Sequence, residues 1–267
     1  MTSSKVISNH IQPSGYRIGL DLGSTAIKLA LVKDGELAFS RQTPTAPGQG
    51  ELARELVKMA LDKNDLSADD IQDVVATGYG KKLAVSAGRL VNEISANAKG
   101  LFSLSQGRCR TIVNIGGQDL KVISIGEQGQ VEDFKMNDKC AAGTGRFFEQ
   151  VARILDTPID QFGSLSLAAD DPLELNSTCV VFAESEIVSL LAKGSRRENI
   201  IRGLHHSVAR RVSHLLGRGW LRPDVYLDGG PALNEGLLMA LEDELMMEVK
   251  VVPQPQFTVA YGAALGG

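Results

Sequence analysis

Three glycine-bearing turns, each closing an apolar run, constrain this chain more than any other feature. They are Asp21-Leu22-Gly23-Ser24-Thr25, Gly116-Gly117-Gln118-Asp119 and Asp228-Gly229-Gly230-Pro231. Glycine lets a backbone approach a phosphate closely and leaves its N–H groups free to point at oxygens. Ser24 and Thr25 add hydroxyl donors. Asp21 and Asp119 suit a hydrated Mg²⁺, because hard cations prefer carboxylate and water oxygens. One such turn alone is an ordinary hairpin or strand-to-helix connection; three in this order point to a nucleotide. The competing signatures are absent: the sequence has no G-x-x-x-x-G-K-[ST], and no G-x-G-x-x-G between a strand and a helix.

The runs around these turns repeat. Tyr16 to Asp21, Ala26 to Val32 and Glu36 to Gln42 read as strands, with Asp34-Gly35 as a two-residue hairpin. Thr111 to Ile115, Lys121 to Ile125 and Val131 to Met136 repeat that order, again around a glycine-rich turn at 126–129. Two similar domains follow from this doubling, whose spacing is too large for a solenoid. Helices are predicted over Glu51 to Asp62, Glu93 to Leu104, Arg146 to Leu155, Phe182 to Lys193, Asn199 to Arg218, Leu233 to Glu244 and Val259 to Leu265. Further strands are predicted at Val74 to Thr77, Val225 to Leu227 and Val249 to Val252. The mixture predicts an α/β protein with helix-covered sheets. The expected division is a tail over 1–15, a first domain over 16–108 to which a helix at 257–267 returns, and a second domain over 109–256.

Composition narrows the partners. A net charge of -4 with no basic stripe argues against nucleic acid. No run approaches the roughly 20 apolar residues of a membrane span, and Met1 to Gly15 lacks the apolar core of a signal peptide. A cytoplasmic protein with no membrane partner is expected. Its three widely spaced cysteines do not form a disulfide framework.

Cys140 lies in NDKCAAGTGRF and Cys179 in NSTCVVFAESE, each just before a predicted helix. A helix start offers unpaired N–H groups and partial positive charge, which suit a thiolate. The same position also suits an inert buried cysteine. The two are too far apart for a local four-ligand set. Two chains on a two-fold axis would bring four thiolates together, the number a [4Fe–4S] cluster requires.

The order of the phosphate turns resembles the actin, Hsp70 and sugar-kinase superfamily, in which two similar domains of the actin/RNase H-like type close over ATP. The two cysteine segments are more specific. They resemble the activators of 2-hydroxyacyl-CoA dehydratases, a family that also contains ATPase subunits of benzoyl-CoA reductase. Further matches are Ala76 to Gly80, Ile115 to Asp119, Asp228 to Asn234 and Ala260 to Leu265, so that the resemblance spans roughly residues 16–267. It implies a homodimer whose subunits share one [4Fe–4S] cluster through Cys140 and Cys179. Each subunit would bind ATP or ADP with Mg²⁺ held through water by Asp21 and Asp119. Gly23, Ser24, Thr25, Gly116, Gly117 and Gln118 would face the phosphates, and Gly229, Gly230 and Asn234 the adenosine. Gly143, Thr144 and Gly145 would link nucleotide to cluster. The implied electron donor is a ferredoxin or flavodoxin, and the acceptor an iron–sulfur dehydratase or reductase. Two departures stand out. Asn114 occupies the place where the superfamily's second loop begins with Asp, and Ala96-Asn97 the place of a frequent Cys-His pair. Asp119 is the expected substitute for the first.

Other residues read as structural. Cys109 matches no motif, and Trp220 is expected to pack near the end of the long helix. Glu184 and Glu186 are expected in a first helical turn. His205, His206 and His214 are expected on a solvated helix face rather than in a zinc site. Two other functions fit the turns alone: a sugar-kinase-type phosphotransferase, and a nucleotide-dependent regulatory module that binds no iron.

Overall fold

The computed structural model describes residues 15–137, 141–171, 173–175, 180–217 and 219–266. Its frame is two five-stranded sheets built alike. The first contains β1 (Tyr16–Leu22), β2 (Ala26–Lys33), β3 (Glu36–Pro44), β4 (Ile71–Thr77) and β5 (Arg89–Leu90), in the order β3-β2-β1-β4-β5. The second contains β6 (Thr111–Ile115), β7 (Leu120–Ile125), β8 (Val131–Met136), β9 (Val225–Asp228) and β10 (Val249–Val251), in the order β10-β9-β6-β7-β8. In each, the first three strands form an antiparallel meander and the last two add in parallel. The predicted doubling is therefore a repeat of topology as well as of turns.

Local chemistry accounts for the meanders. Asp34 and Gly35 both take positive φ, 51° and 87°, as a two-residue hairpin matching the right-handed strand twist requires. Gly129, at φ 80°, does the same between β7 and β8. β7 is buried along its whole length, so its sequence reads as a near-continuous apolar run.

The helices are α1 (Gln49–Lys63), α2 (Glu93–Leu104), α3 (Gly145–Ile154), α4 (Phe162–Leu167), α5 (Val180–Ala192), α6 (Arg197–Leu216), α7 (Glu235–Leu245) and α8 (Thr258–Ala264). α1 covers the first sheet, with Leu56 and Ala60 against Ile27 and Leu29. α3, α6 and α7 cover the second, where Phe147, Phe148, Leu204, Val208 and Leu237 join Val113 and Val122 in one core. The long helix ends at Leu216 rather than at Arg218, because Gly217 turns the chain at φ 66°. The helix expected from Leu233 begins instead at Glu235, after a 3₁₀ turn over Gly230–Leu233, with Asn234 as its N-cap. α5 starts at Val180, which moves Glu184 and Glu186 into its second turn. α4 and the two-residue edge strand β5 were not anticipated.

α2 leads from the first sheet to the second, and α8 packs on β1 and β2 of the first. These two helices cross at backbone contact distance. A Cβ on Gly262 would lie 1.8 Å from the Ala96 carbonyl oxygen, and one on Gly100 would lie 2.3 Å from that of Thr258. Gly19 lets α8 equally close to β1, since its Cβ would lie 1.8 Å from the Ala260 oxygen. Among the described residues no helix is long and apolar enough to cross a membrane.

Candidate nucleotide site

All three glycine turns lie at the carboxyl ends of strands and open on one cavity of about 520 Å³, a size that suits a small-molecule ligand. The first turn contributes Asp21, Gly23, Ser24 and Thr25, the second Gly116, Gly117 and Asp119, and the third Gly229, Gly230 and Asn234. Strand β6 adds Asn114, and the start of α3 adds Gly145. Gln118 is exposed and does not line the cavity, and neither do Gly143 and Thr144.

The first two turns touch. A Cβ on Gly117 would lie 1.8 Å from Thr25 Oγ1, so only glycine allows this approach. Thr25 Oγ1 is buried with no hydrogen-bond partner, and so is Gln256 Oε1, whose residue also lines the cavity. An orphaned buried hydroxyl costs about 1–3 kcal/mol. At a cavity wall it is a donor awaiting a ligand oxygen, as a phosphate site requires. Thr45 braces this loop by donating from Oγ1 to the Gly23 carbonyl at 2.8 Å.

A compact set of charges lies beneath the phosphate turns. Register places Asp21 opposite Lys28 on β2, where Nζ and Oδ2 are 3.8 Å apart. In the second sheet Lys121 Nζ is buried between Glu93 Oε1 at 2.8 Å and Asp119 Oδ2 at 2.9 Å. Glu93 stands in the first turn of α2, so this ion pair ties the inter-sheet helix to β7. Burial alone would push the Lys121 ammonium toward neutrality; Glu93 and Asp119 outweigh it and raise its pKa. Asp21 is pushed up to about 6, chiefly by burial; Lys28 opposes this, while Glu93 and Asp119 add to it. Three carboxylates against two ammonium groups leave this wall with an excess negative charge, which suits a divalent cation. Among the described residues no three His, Cys, Asp or Glu side chains could hold a metal ion together, so a cation here fits only with water completing its shell. Lys28, Glu93 and Lys121 were not singled out from the sequence, although Lys28 pairs across the strands with Asp21, Lys121 lies two residues past Asp119, and Glu93 begins a predicted helix.

The third turn is fixed from behind. Asp228 is fully buried and accepts from Asn97 Nδ2 at 2.5 Å, from Asn114 Nδ2 at 2.9 Å and from Thr258 Oγ1. Burial, the largest influence, raises its pKa against the pull of these donors. Both departures noted in the sequence therefore meet on one carboxylate. Asn234 lines the cavity, but its side chain is committed: Oδ1 accepts the Leu237 N–H at 3.1 Å, and Nδ2 faces His205 Nε2 at 3.0 Å. Nδ2 can only donate, so Nε2 is the bare nitrogen and Nδ1 donates to Ser166 Oγ at 2.8 Å. His205 is therefore no solvated residue. It is fully buried beside Phe148, and burial pushes its pKa down to about 3.

The expected link from Thr144 takes a different form. Its buried hydroxyl donates to the Ala141 carbonyl at 2.7 Å and does not reach the cavity. The next two N–H groups, at the start of α3, bond the second phosphate turn directly: Gly145 to Gly116 O at 2.8 Å and Arg146 to Gly117 O at 2.9 Å. Cys140 and Cys179 themselves lie outside the described residues. The helices that follow them, α3 and α5, pack on each other, and Gln150 Nε2 donates to Glu184 Oε2 at 3.2 Å in their early turns. Cys109 is buried and inert, its thiol pKa pushed far up by burial. Trp220 packs against the second core and donates to Asp133 at 3.0 Å.

Known proteins share both this sequence pattern and this fold. The model of the BadF/BadG/BcrA/BcrD ATPase family matches residues 18–267. The activator of lactoyl-CoA dehydratase from Anaerotignum propionicum is 44% identical over 251 residues, covering 94% of this chain and 96% of that protein. The solved activator of the 2-hydroxyisocaproyl-CoA dehydratase from Clostridium difficile, with bound ADPNP, superposes with a TM-score of 0.89 at 40% identity, over 94% of this chain and 93% of that one. A ROK family glucokinase from Streptomyces griseus, at 16% identity and a TM-score of 0.60 over 94% and 98% of the two chains, shares the fold alone.

Proposed function

The chain belongs to the BadF/BadG/BcrA/BcrD ATPase family, and from that premise we propose that it is an ATP-hydrolysing iron–sulfur activator. It delivers a low-potential electron to a partner 2-hydroxyacyl-CoA dehydratase or a related acyl-CoA reductase. The observation that carries this reading is the pair of hydrogen bonds from Gly145 and Arg146 to Gly116 and Gly117. They join a phosphate turn to the helix that begins five residues after Cys140. Movement of that turn with nucleotide state is thereby movement of the helix.

In this reading Gly117 offers its N–H to the phosphates and Ser24 and Thr25 offer hydroxyls. The N–H groups of Gly23 and Gly116 close their own turns on the Ala26 and Asp119 carbonyls, so these two glycines serve by letting the backbone come close, and Gly229 and Gly230 bound the adenosine. Asp21 and Asp119 hold a hydrated Mg²⁺, and Lys28, Glu93 and Lys121 hold those carboxylates in place. The halves that close on nucleotide are 16–108 with 257–267, and 109–256. Cys140 and Cys179 supply two thiolates from each chain of a homodimer. A [4Fe–4S] cluster held there would supply one-electron transfer, with a ferredoxin or flavodoxin as the donor. Nucleotide drives the transfer only by contacting two arrangements of α3 and α5 differently.

Iron and acid-labile sulfide, measured after anaerobic purification of wild type and Cys140→Ala, test the reading. About four of each per dimer, lost in the variant, is the expected result. Absence of iron from both proteins after attempted reconstitution overturns it.

A further inference from the structure

The two sheets repeat each other strand for strand, so their phosphate turns can be compared position by position. In the first sheet Asp21 is the last residue but one of the central strand; its partners in register are Lys28 on one side and Thr77 on the other. In the second sheet Asn114 holds that place, between Lys121 and Asp228. The lysines correspond. The carboxylate does not: it stands on the central strand in one sheet and on its parallel neighbour in the other.

Asp228 is too deep to meet a ligand, being fully buried, while Asn114 lines the cavity. The two are joined by the 2.9 Å bond from Asn114 Nδ2 to Asp228 Oδ1. An amide has one nitrogen and one oxygen, and a carboxylate oxygen that only accepts decides which of them faces it. Asn97 shows how strongly this carboxylate decides. Its Nδ2 also turns to Asp228, and its Oδ1 is left buried with no partner. The choice at Asn114 does not depend on where protons lie around Asp228. The Thr258 hydroxyl contacts both Asp228 Oδ2 and the Pro255 carbonyl, so a shared proton sits on the Oδ2 side. Oδ1 stays an acceptor in either arrangement.

We propose that Asp228 is a positioning residue for the second phosphate turn: it turns the Asn114 amide nitrogen inward and presents the amide oxygen to the cavity, as a neutral acceptor for a water on the nucleotide-bound Mg²⁺. The cavity then has a charged oxygen acceptor from Asp21 and an uncharged one from Asn114 at equivalent places in the two sheets. Lys28, Lys121 and Glu93 carry charge along the same wall, and their ion pairs among the described residues join Lys28 to Asp21 and Lys121 to Glu93 and Asp119. The inference rests on the ATPase reading.

The test uses the full-length dimer and three variants: Asp228→Asn, Asn114→Asp, and the reciprocal pair of both. A non-hydrolysable ATP analogue is titrated calorimetrically with Mg²⁺ and with EDTA, and ATP hydrolysis is followed in parallel. Asp228→Asn is expected to lose most of the affinity that Mg²⁺ adds, to keep its Mg²⁺-free affinity, and to lower kcat about tenfold with little change in KM. The reciprocal pair restores one carboxylate and one amide, and is expected to recover the Mg²⁺ dependence beyond what either single variant retains. A merely structural role would lower both affinities alike and would not be rescued. An intact Mg²⁺ dependence in Asp228→Asn overturns the inference, and so does a folded reciprocal pair without it. The pair alone decides the matter if the single variant fails to fold. A wild type that neither binds nor hydrolyses ATP overturns the ATPase reading itself, and the inference with it.

Discussion

Thr25 shows a stability cost placed at the cavity wall. Its Oγ1 is buried without a partner and wedged against Gly117. Thr25→Val keeps the shape and removes the unpaired hydroxyl, so the nucleotide-free protein should melt at the same or a slightly higher temperature. Nucleotide affinity should fall about ten- to hundredfold, since a hydrogen bond to a charged group contributes about 1.5–3 kcal/mol. Calorimetric titration beside a melting curve reads both; a fall in the two together would make the residue a packing group. His205 gives a pH-dependent case. Its pKa of about 3 in the fold lies below the ordinary 6.5, so the unfolded chain binds more protons between those values. The stability it contributes is full above pH 6.5 and is lost as pH falls toward 3, by up to a few kcal/mol. Asp21, raised from 3.8 to about 6, acts with the opposite sign in an overlapping window, so the comparison must be with a variant. The melting gap between wild type and His205→Gln should narrow from pH 7 to pH 5; a constant gap would mean that His205 does not titrate on unfolding. The sequence showed the glycine turns because each is local. It hid His205, because helical spacing places a residue on a face but does not say that Phe148, Ser166 and Asn234 cover that face.

At the scale of elements, the crossing of α2 and α8 is the most constrained contact between them. Alanine has the better helix propensity by about 1 kcal/mol, which favours Gly262→Ala in an isolated helix. In the fold its Cβ would stand 1.8 Å from the Ala96 carbonyl oxygen, and backbone there has no room to yield. Overpacking of this kind costs about 1–3 kcal/mol, so the variant should be clearly destabilised despite the propensity gain. Gly194→Ala is the control: it carries strain at φ +81°, about 1–2 kcal/mol, and meets nothing within 4 Å. Chemical denaturation should rank Gly262→Ala as the more damaging, and the reverse order would mean that the helices slide apart freely. The same contrast explains what was readable beforehand. α2 was legible to the residue, from Glu93 to Leu104, and the structure adds the Asn92 side chain as its N-cap. α4, with the six residues FGSLSL, has too little length for a period to show. β5 is two exposed residues held by β4, a pairing that no local pattern announces.

For the whole molecule, the question is whether one ligand draws both sheets together. The cavity wall includes turns from each sheet, and the Gly117–Thr25 contact spans them. A ligand bound there stabilises the folded chain by RT ln(1 + [L]/Kd), or about 2.7 kcal/mol at a hundredfold excess over Kd. For a chain of this size each kcal/mol moves the melting point by roughly 2–4 °C. MgATP or MgADP should therefore raise it by about 5–10 °C. Cooperativity is the sharper part of the prediction. If the sheets close as a pair, the transition should stay single with nucleotide and move as a whole; a shift of one of two resolved transitions would confine the nucleotide to one half. The sugar-kinase-type alternative that the glycine turns also fit adds a discriminating arm, because a phosphotransferase of that kind must bind its acceptor as well as nucleotide. Glucose and related hexoses, with or without MgADP, should leave the melting point of this chain unchanged. A hexose-induced rise that grows in the presence of nucleotide would mean a second substrate in the cleft, and would favour phosphoryl transfer over the proposed electron activation.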